Sequence, residues 1–175
     1  MYTEVERLLQ VSTPLFVRHP LPLDNARSAK LVVGAAAAAA AAVEEAEGLA
    51  ALVSFGGTIP TLPLAVAGAF IAVAAEAYVA ASLRVNNLRR AGLEVSAEAV
   101  AVDVAFAMAG GKGAGGGIRH GVTKSMIKRI VRRLVRREVA GLLPAIGVVY
   151  GVWDSRSTID AIDRMPLPPR PVEIA

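Results

Sequence analysis

Residues 35–42 are eight consecutive alanines, and alanine fills 34 of the 175 positions. No feature narrows the fold more. Alanine has the highest helix propensity, and its narrow surface lets a neighbouring helix approach closely. The chain is 54% hydrophobic but only 5% aromatic, so it lacks the bulky side chains that fill a β-sandwich or barrel. The expected fold is all-α: a bundle of Ala/Gly-rich helices with a basic amphipathic helix and a glycine-rich hinge. Its length suits one compact domain or a domain with tails.

Local signals divide the chain further. Residues 1–23 read as a short N-terminal helix, opened by the capping-box spacing Thr3-Glu4-Val5-Glu6, and a linker in which Pro14, Pro20 and Pro22 forbid a long helix. Residues 24–109 read as an Ala-rich apolar helical region. In it, Asp24 or Asn25 caps a helix running to about Val53, and Gly56, Gly57, Pro60 and Pro63 break the next stretch. A third helix runs from near Pro63 to Ala91, with Gly92 in the C′ position, and a fourth runs from the cap Ser96 through Ala109. Residues 110–117 read as a glycine-rich hinge. Residues 118–165 hold the basic helix, interrupted at Pro144, then a helical stretch 145–153 and a last short helix capped near Ser157-Thr158. Residues 166–175 form a Pro-rich, polyproline-like tail.

Several chemistries are excluded or unsupported. The chain has no cysteine, which removes disulfide scaffolds, thiol catalysis and cysteine-bound metal centres. His19 and His120 alone do not make a histidine-rich metal site. The glycine run around Lys112 lacks the Gly-Lys-Ser/Thr step that opens a phosphate-binding helix after a strand. Carboxylates are scattered, and no nucleophile–base pair is apparent. The sequence therefore predicts no catalytic residues, no metal and no cofactor, and a protein that is not an enzyme.

Charge is divided unevenly. Residues 1–110 carry seven Lys/Arg against ten Asp/Glu, whereas residues 111–175 carry twelve against five. The N-terminus lacks the basic start and apolar core of a signal peptide, so the cytoplasmic side is the expected location. From Gly48 to Ala75 there are 28 consecutive uncharged residues, but the Gly/Pro break cuts them. In the window 63–81 the strong apolar residues supply roughly −2 to −4 kcal/mol, and Glu76 removes about as much at mid-bilayer. Paired or placed at the interface, Glu76 permits insertion, and unpaired at mid-bilayer it forbids it; a polar position on a helix buried in a soluble bundle is the alternative. Farther on, Gly147, Gly151 and Ser155 are spaced four apart, a small-residue series suited to helix–helix contact within the chain or in a homo-oligomer.

The basic helix carries the clearest functional signal. At 100° per residue, Ile127, Ile130, Val131, Leu134 and Val135 share one face of residues 123–139. Lys128, Arg129, Arg132, Arg133, Arg136 and Arg137 occupy the other, with Lys124 at its edge. Such a face suits anionic lipid, each basic group near the surface contributing about 1 kcal/mol. Its apolar stripe can enter the headgroup boundary or pack on the domain. An ordinary solvated bundle face is the plainer alternative. Nucleic acid is an unfavoured partner, because residues 110–149 offer no aromatic side chain for stacking and no Asn or Gln for reading adenine.

The block Phe55-Gly56-Gly57-Thr58-Ile59-Pro60-Thr61-Leu62-Pro63, the Ala/Val-rich helix to Leu83, the polar step at Gly92–Ser96 and Leu143-Pro144-Ala145-Ile146-Gly147-Val148-Val149-Tyr150-Gly151 together resemble the bacterial EcsC-like family. The resemblance covers roughly residues 30–165; Leu83-Arg84-Val85-Asn86 stands where that family usually has a Tyr-Gly pair. It implies a helical, membrane-associated protein encoded near transport functions, with no catalytic residues to transfer. The combined expectation is a non-enzymatic protein at the cytoplasmic face of a membrane, binding anionic lipid and either self-associating or meeting a partner protein. A soluble helical scaffold or adaptor within a larger complex is the alternative.

Overall fold

The computed structural model describes residues 2–7, 9, 12–39, 62–111, 122–141 and 144–169, without the side chains of 2, 4, 62–71, 134, 137–141 and 144–151. Among these residues there are helices and no strands. The helices are α1 (Tyr2–Arg7), α2 (Thr13–Arg18), α3 (helical over the described residues 26–39), α4 (Leu62–Arg90), α5 (Ala97–Met108), α6 (Lys124–Gly141) and α7 (Pro144–Asp163). The all-α bundle expected from composition is the observed fold.

Local chemistry sets the helix ends. Asn25 caps α3 reciprocally: its Oδ1 accepts from the Ser28 N–H at 3.0 Å, and the Ser28 Oγ accepts from the Asn25 N–H at 3.3 Å. Two orphan donors are satisfied at once. At the end of α4, Gly92 takes φ +69°, the Leu93 N–H reaches Leu88 O at 3.0 Å and the Gly92 N–H reaches Arg89 O at 3.0 Å. This is a Schellman closure. Ser96 then caps α5 by accepting from the Ala99 N–H at 3.3 Å.

Two glycines of the expected 110–117 hinge are described, at the C-terminus of α5. Gly110 (φ +101°) and Gly111 (φ +55°) build a second Schellman closure, with Gly111 N–H bonded to Phe106 O at 3.1 Å. A Cβ on Gly111 would lie 2.9 Å from the Ala161 Cβ. These two glycines stop a helix against α7; the rest of the 110–117 run lies outside the described residues. A difference concerns α7. It is one helix from Pro144 to Asp163, where the sequence suggested two. Ser157 Oγ donates back to Asp154 O at 2.6 Å and Thr158 donates to Glu76, so neither hydroxyl caps a new N-terminus. With no Gly or Pro between residues 152 and 163, nothing ends the helix there.

α4 is the axis of the bundle. At 1.5 Å per residue its 29 residues span about 43 Å, and α2, α5, α6 and α7 all pack against it. Its small residues Ala77, Ala80, Ala81 and Ser82 are all but sealed from solvent, among Val73, Leu83, Val85 and Leu88. Facing them are Val100, Val104 and Met108 of α5, Ile127 and Ile130 of α6, and Ile159 and Ile162 of α7. The strap between α2 and α3 is fastened to α4 by polar contacts: Ser82 Oγ accepts from the Leu21 N–H at 3.0 Å, and Asn86 Nδ2 donates to Leu21 O at 2.8 Å.

Candidate functional site

The basic helix α6 opens at Thr123, whose Oγ1 accepts from the Met126 N–H at 3.3 Å. Ile127, Ile130 and Val131 are buried in the bundle core. Of the two fates open to the apolar stripe, α6 takes packing on the domain. Lys124, Ser125, Lys128, Arg129, Arg132, Val135 and Arg136 are exposed. At 100° per residue these positions cover one continuous arc of about 140°, and none of them is acidic. Val135, which periodicity groups with the apolar stripe, sits at the stripe's margin and is 46% exposed. The side chains of Leu134 and Arg137 lie outside the described residues.

Arg133 is the correction to the basic face. Sequence periodicity grouped it with the outward cations, but its side chain turns inward between α5 and α7. Its Nε donates to Asp154 Oδ2 at 2.5 Å, and its Nη1 donates to Met108 O and Thr158 Oγ1, both at 2.7 Å. The same Nη1 stands 3.3 Å from Glu76 Oε1, and Nη2 donates to Asp154 O. The reason is positional: Arg133 lies one turn from Ile130 and Arg136, at the boundary between buried and exposed arcs. A guanidinium there can reach the carboxylates of neighbouring helices, and its planar fork satisfies several acceptors at once.

Glu76, on α4, lies on the far side of that guanidinium and is 1% exposed. Thr158 Oγ1 donates to its Oε1 at 2.5 Å and Ser155 Oγ to its Oε2 at 3.1 Å. Glu76 is thus buried and paired within the bundle. No helix among the described residues is long and apolar enough to cross a membrane. Chemically, Glu76, Arg133, Asp154, Ser155 and Thr158 form a clamp joining α4, α6 and α7. Its hydroxyls are sealed from solvent and engaged with a carboxylate.

A second pair, with Arg84 buried and Asp103 half-buried, sits two turns farther along α4. Arg84 Nε donates to Asp103 Oδ2 of α5 at 2.8 Å, while its Nη1 and Nη2 reach Met165 O at 3.3 Å and Pro166 O at 3.0 Å. Arg84 thereby fastens the start of the Pro-rich tail to the bundle. Of the small-residue series, Ser155 is buried against α4; Gly147 and Gly151 lie on α7, and their surroundings fall outside the described residues. Among the described residues no group of three or more His, Asp or Glu gathers as a metal would require.

Sequence reasoning singled out Glu76 but neither its partners nor the Arg84–Asp103 pair. For that pair a signal was available, because Asp103 in the apolar run of α5 and Arg84 amid the apolar end of α4 are isolated charges, and such a charge needs a partner of opposite sign. Comparison with protein-family models, with curated proteins and with solved structures finds no match.

Proposed function

We propose that this chain is a non-enzymatic, membrane-peripheral helical protein that docks on anionic phospholipid through the outward arc of α6. One observation carries the reading. Lys124, Lys128, Arg129, Arg132 and Arg136 are displayed together on a helix whose apolar side is already committed to the bundle. Five cations reaching an anionic bilayer contribute on the order of 5 kcal/mol, sufficient for reversible binding. Contact is then electrostatic rather than insertional, because Ile127, Ile130 and Val131 are not free to enter the headgroup layer. The resemblance to the EcsC-like family agrees with this reading, as does a place at the cytoplasmic face, where anionic lipid is concentrated.

Flotation with phosphatidylcholine vesicles, with and without phosphatidylglycerol, tests it. The intact chain is expected to float only with the anionic vesicles and to be released as salt rises. The variant K128Q/R129Q/R132Q/R136Q is expected to stay in the bottom fraction. Equal flotation of both proteins, or none with any vesicle, refutes the lipid reading. In the second case, co-elution with a partner protein would favour the scaffold alternative.

A further inference from the structure

An open groove of about 550 Å³ runs between α3 and α7. Arg27 and Lys30 of α3 line one wall, and Arg156 and Asp160 of α7 the other. Lys30 Nζ is paired with Asp160 Oδ1 at 2.5 Å, which leaves the groove with the net positive charge of Arg27 and Arg156. Both of these are exposed. The Arg156 guanidinium leans toward α3: a Cβ on Gly34 would lie 4.0 Å from its Nη2. Two large apolar side chains stand at the rim, Leu31 at 63% exposure and Trp153 at 66%. Trp and an aliphatic residue beside two arginines match the chemistry of a bilayer interface, where an indole sits at headgroup level and guanidinium groups meet phosphate.

The groove also adjoins α6. Ser157 lines it, and the Ser157 Oγ lies 3.4 Å from Arg133 Nη2. Arg129 and Arg136, one turn to either side of Arg133, are on the exposed arc. Cations of α6, the indole of α7 and the arginines of the α3–α7 groove therefore lie along neighbouring strips of the surface.

We propose that this groove is a headgroup site for one anionic phospholipid, with the phosphate between Arg27 and Arg156 and the glycerol and upper acyl chain against Leu31 and Trp153. This rests on the lipid-surface reading of α6 and adds a specific site to it. The α6 arc supplies diffuse attraction; the groove supplies a defined ligand and an apolar foothold.

Trp153 is the chain's only tryptophan, so tryptophan fluorescence comes from a side chain that lines the groove. The full chain is titrated with short-chain phosphatidylglycerol, kept below its micelle concentration. A saturable blue shift of Trp153 emission is expected, with affinity falling about 25-fold in R27Q/R156Q. R27K/R156K is expected to retain most of the response, and R18Q/R164Q, which removes two exposed arginines elsewhere, all of it. Circular dichroism checks that each variant is folded. The proposal is overturned if Trp153 ignores the lipid, if R27Q/R156Q responds like the parent, or if short-chain phosphatidylcholine or inorganic phosphate at equal concentration gives the same shift. Vesicle sedimentation, scored separately, keeps the two ideas apart. A chain that sediments with anionic vesicles while Trp153 ignores monomeric lipid overturns the groove and leaves the α6 reading. A chain whose Trp153 responds to the monomer but never sediments supports the groove and overturns the surface reading.

Discussion

Arg132 and Arg133 are adjacent on one helix, yet the structure gives them opposite duties, and substitution of each should separate fold from surface. Arg133→Met keeps an unbranched stem and removes the guanidinium. That change deletes the donors to Asp154, Met108 O and Thr158 and takes the positive charge away from Glu76, which is 1% exposed. Removing one partner of a buried pair costs about 3–5 kcal/mol, mostly through the desolvated charge left behind. Arg132→Gln alters an exposed side chain and should stay within about 0.5 kcal/mol of the parent. Urea unfolding followed by circular dichroism reads the difference. With a urea slope of roughly 2–3 kcal/mol per molar for a chain of this size, Arg133→Met should lower the midpoint by about 1–2 M. The double variant Glu76→Gln with Arg133→Met should be less destabilised than the sum of the singles, by about 0.5–3 kcal/mol, because each change relieves the charge that the other strands. A midpoint for Arg133→Met equal to that of Arg132→Gln, or strict additivity in the double variant, would refute the clamp.

Two further perturbations test the frame around it. Arg84→Met should cost about 1.5–3 kcal/mol, less than Arg133→Met because Asp103 keeps 20% of its side chain in solvent, and it should raise amide exchange at Met165 and Leu167, since Arg84 holds Met165 O and Pro166 O. Glycine positions should divide by geometry. Gly111→Ala, with φ +55° and a Cβ contact at 2.9 Å, should lower the unfolding free energy by more than about 1 kcal/mol. Gly34→Ala should be neutral or stabilising by up to about 1 kcal/mol, because its Cβ would meet Val152 Cγ1 at an ordinary 3.6 Å inside a helix.

What the sequence made legible was local. Gly92 after Arg89-Arg90, Ser96 before an apolar run and Asn25 before α3 each announce a helix end through the backbone groups they satisfy, and each is found doing so. The 100° periodicity of α6 likewise grouped Ile127, Ile130 and Val131 on one face, and the structure buries that face in the bundle. What it misassigned were residues whose role depends on a distant element. Arg133 sits at the seam of the helical wheel, where angle alone does not decide direction; the decision came from Glu76, 57 positions earlier, and Asp154, 21 later. Ser157 and Thr158 read as a cap because their spacing permits one, yet Thr158 is drawn to the same carboxylate. The groove was invisible for a related reason: Arg27 and Arg156 come to line one groove only once α3 lies on α7.

The clamp and the exposed arc of α6 belong to one electrostatic arrangement. Lys124, Lys128, Arg132 and Arg136 follow one another at intervals of four, and like charges so placed destabilise a helix by about 0.2–0.5 kcal/mol per pair. Over the three successive pairs this amounts to about 1 kcal/mol against α6 as an isolated segment. Two features of the fold offset it. Burial of Ile127, Ile130 and Val131 contributes about 1.5–3 kcal/mol each, and Arg133 carries the one described cation of this helix that is turned inward onto two carboxylates from other helices. The repulsion along the arc is therefore borne by tertiary contacts rather than relieved on the helix surface. An anionic layer placed against the arc would relieve it directly, so ligand binding and helix stability act in the same direction. A neutral surface offers no such relief, which is why the discrimination expected between anionic and zwitterionic lipid follows from the intrahelical charge pattern as well as from simple attraction.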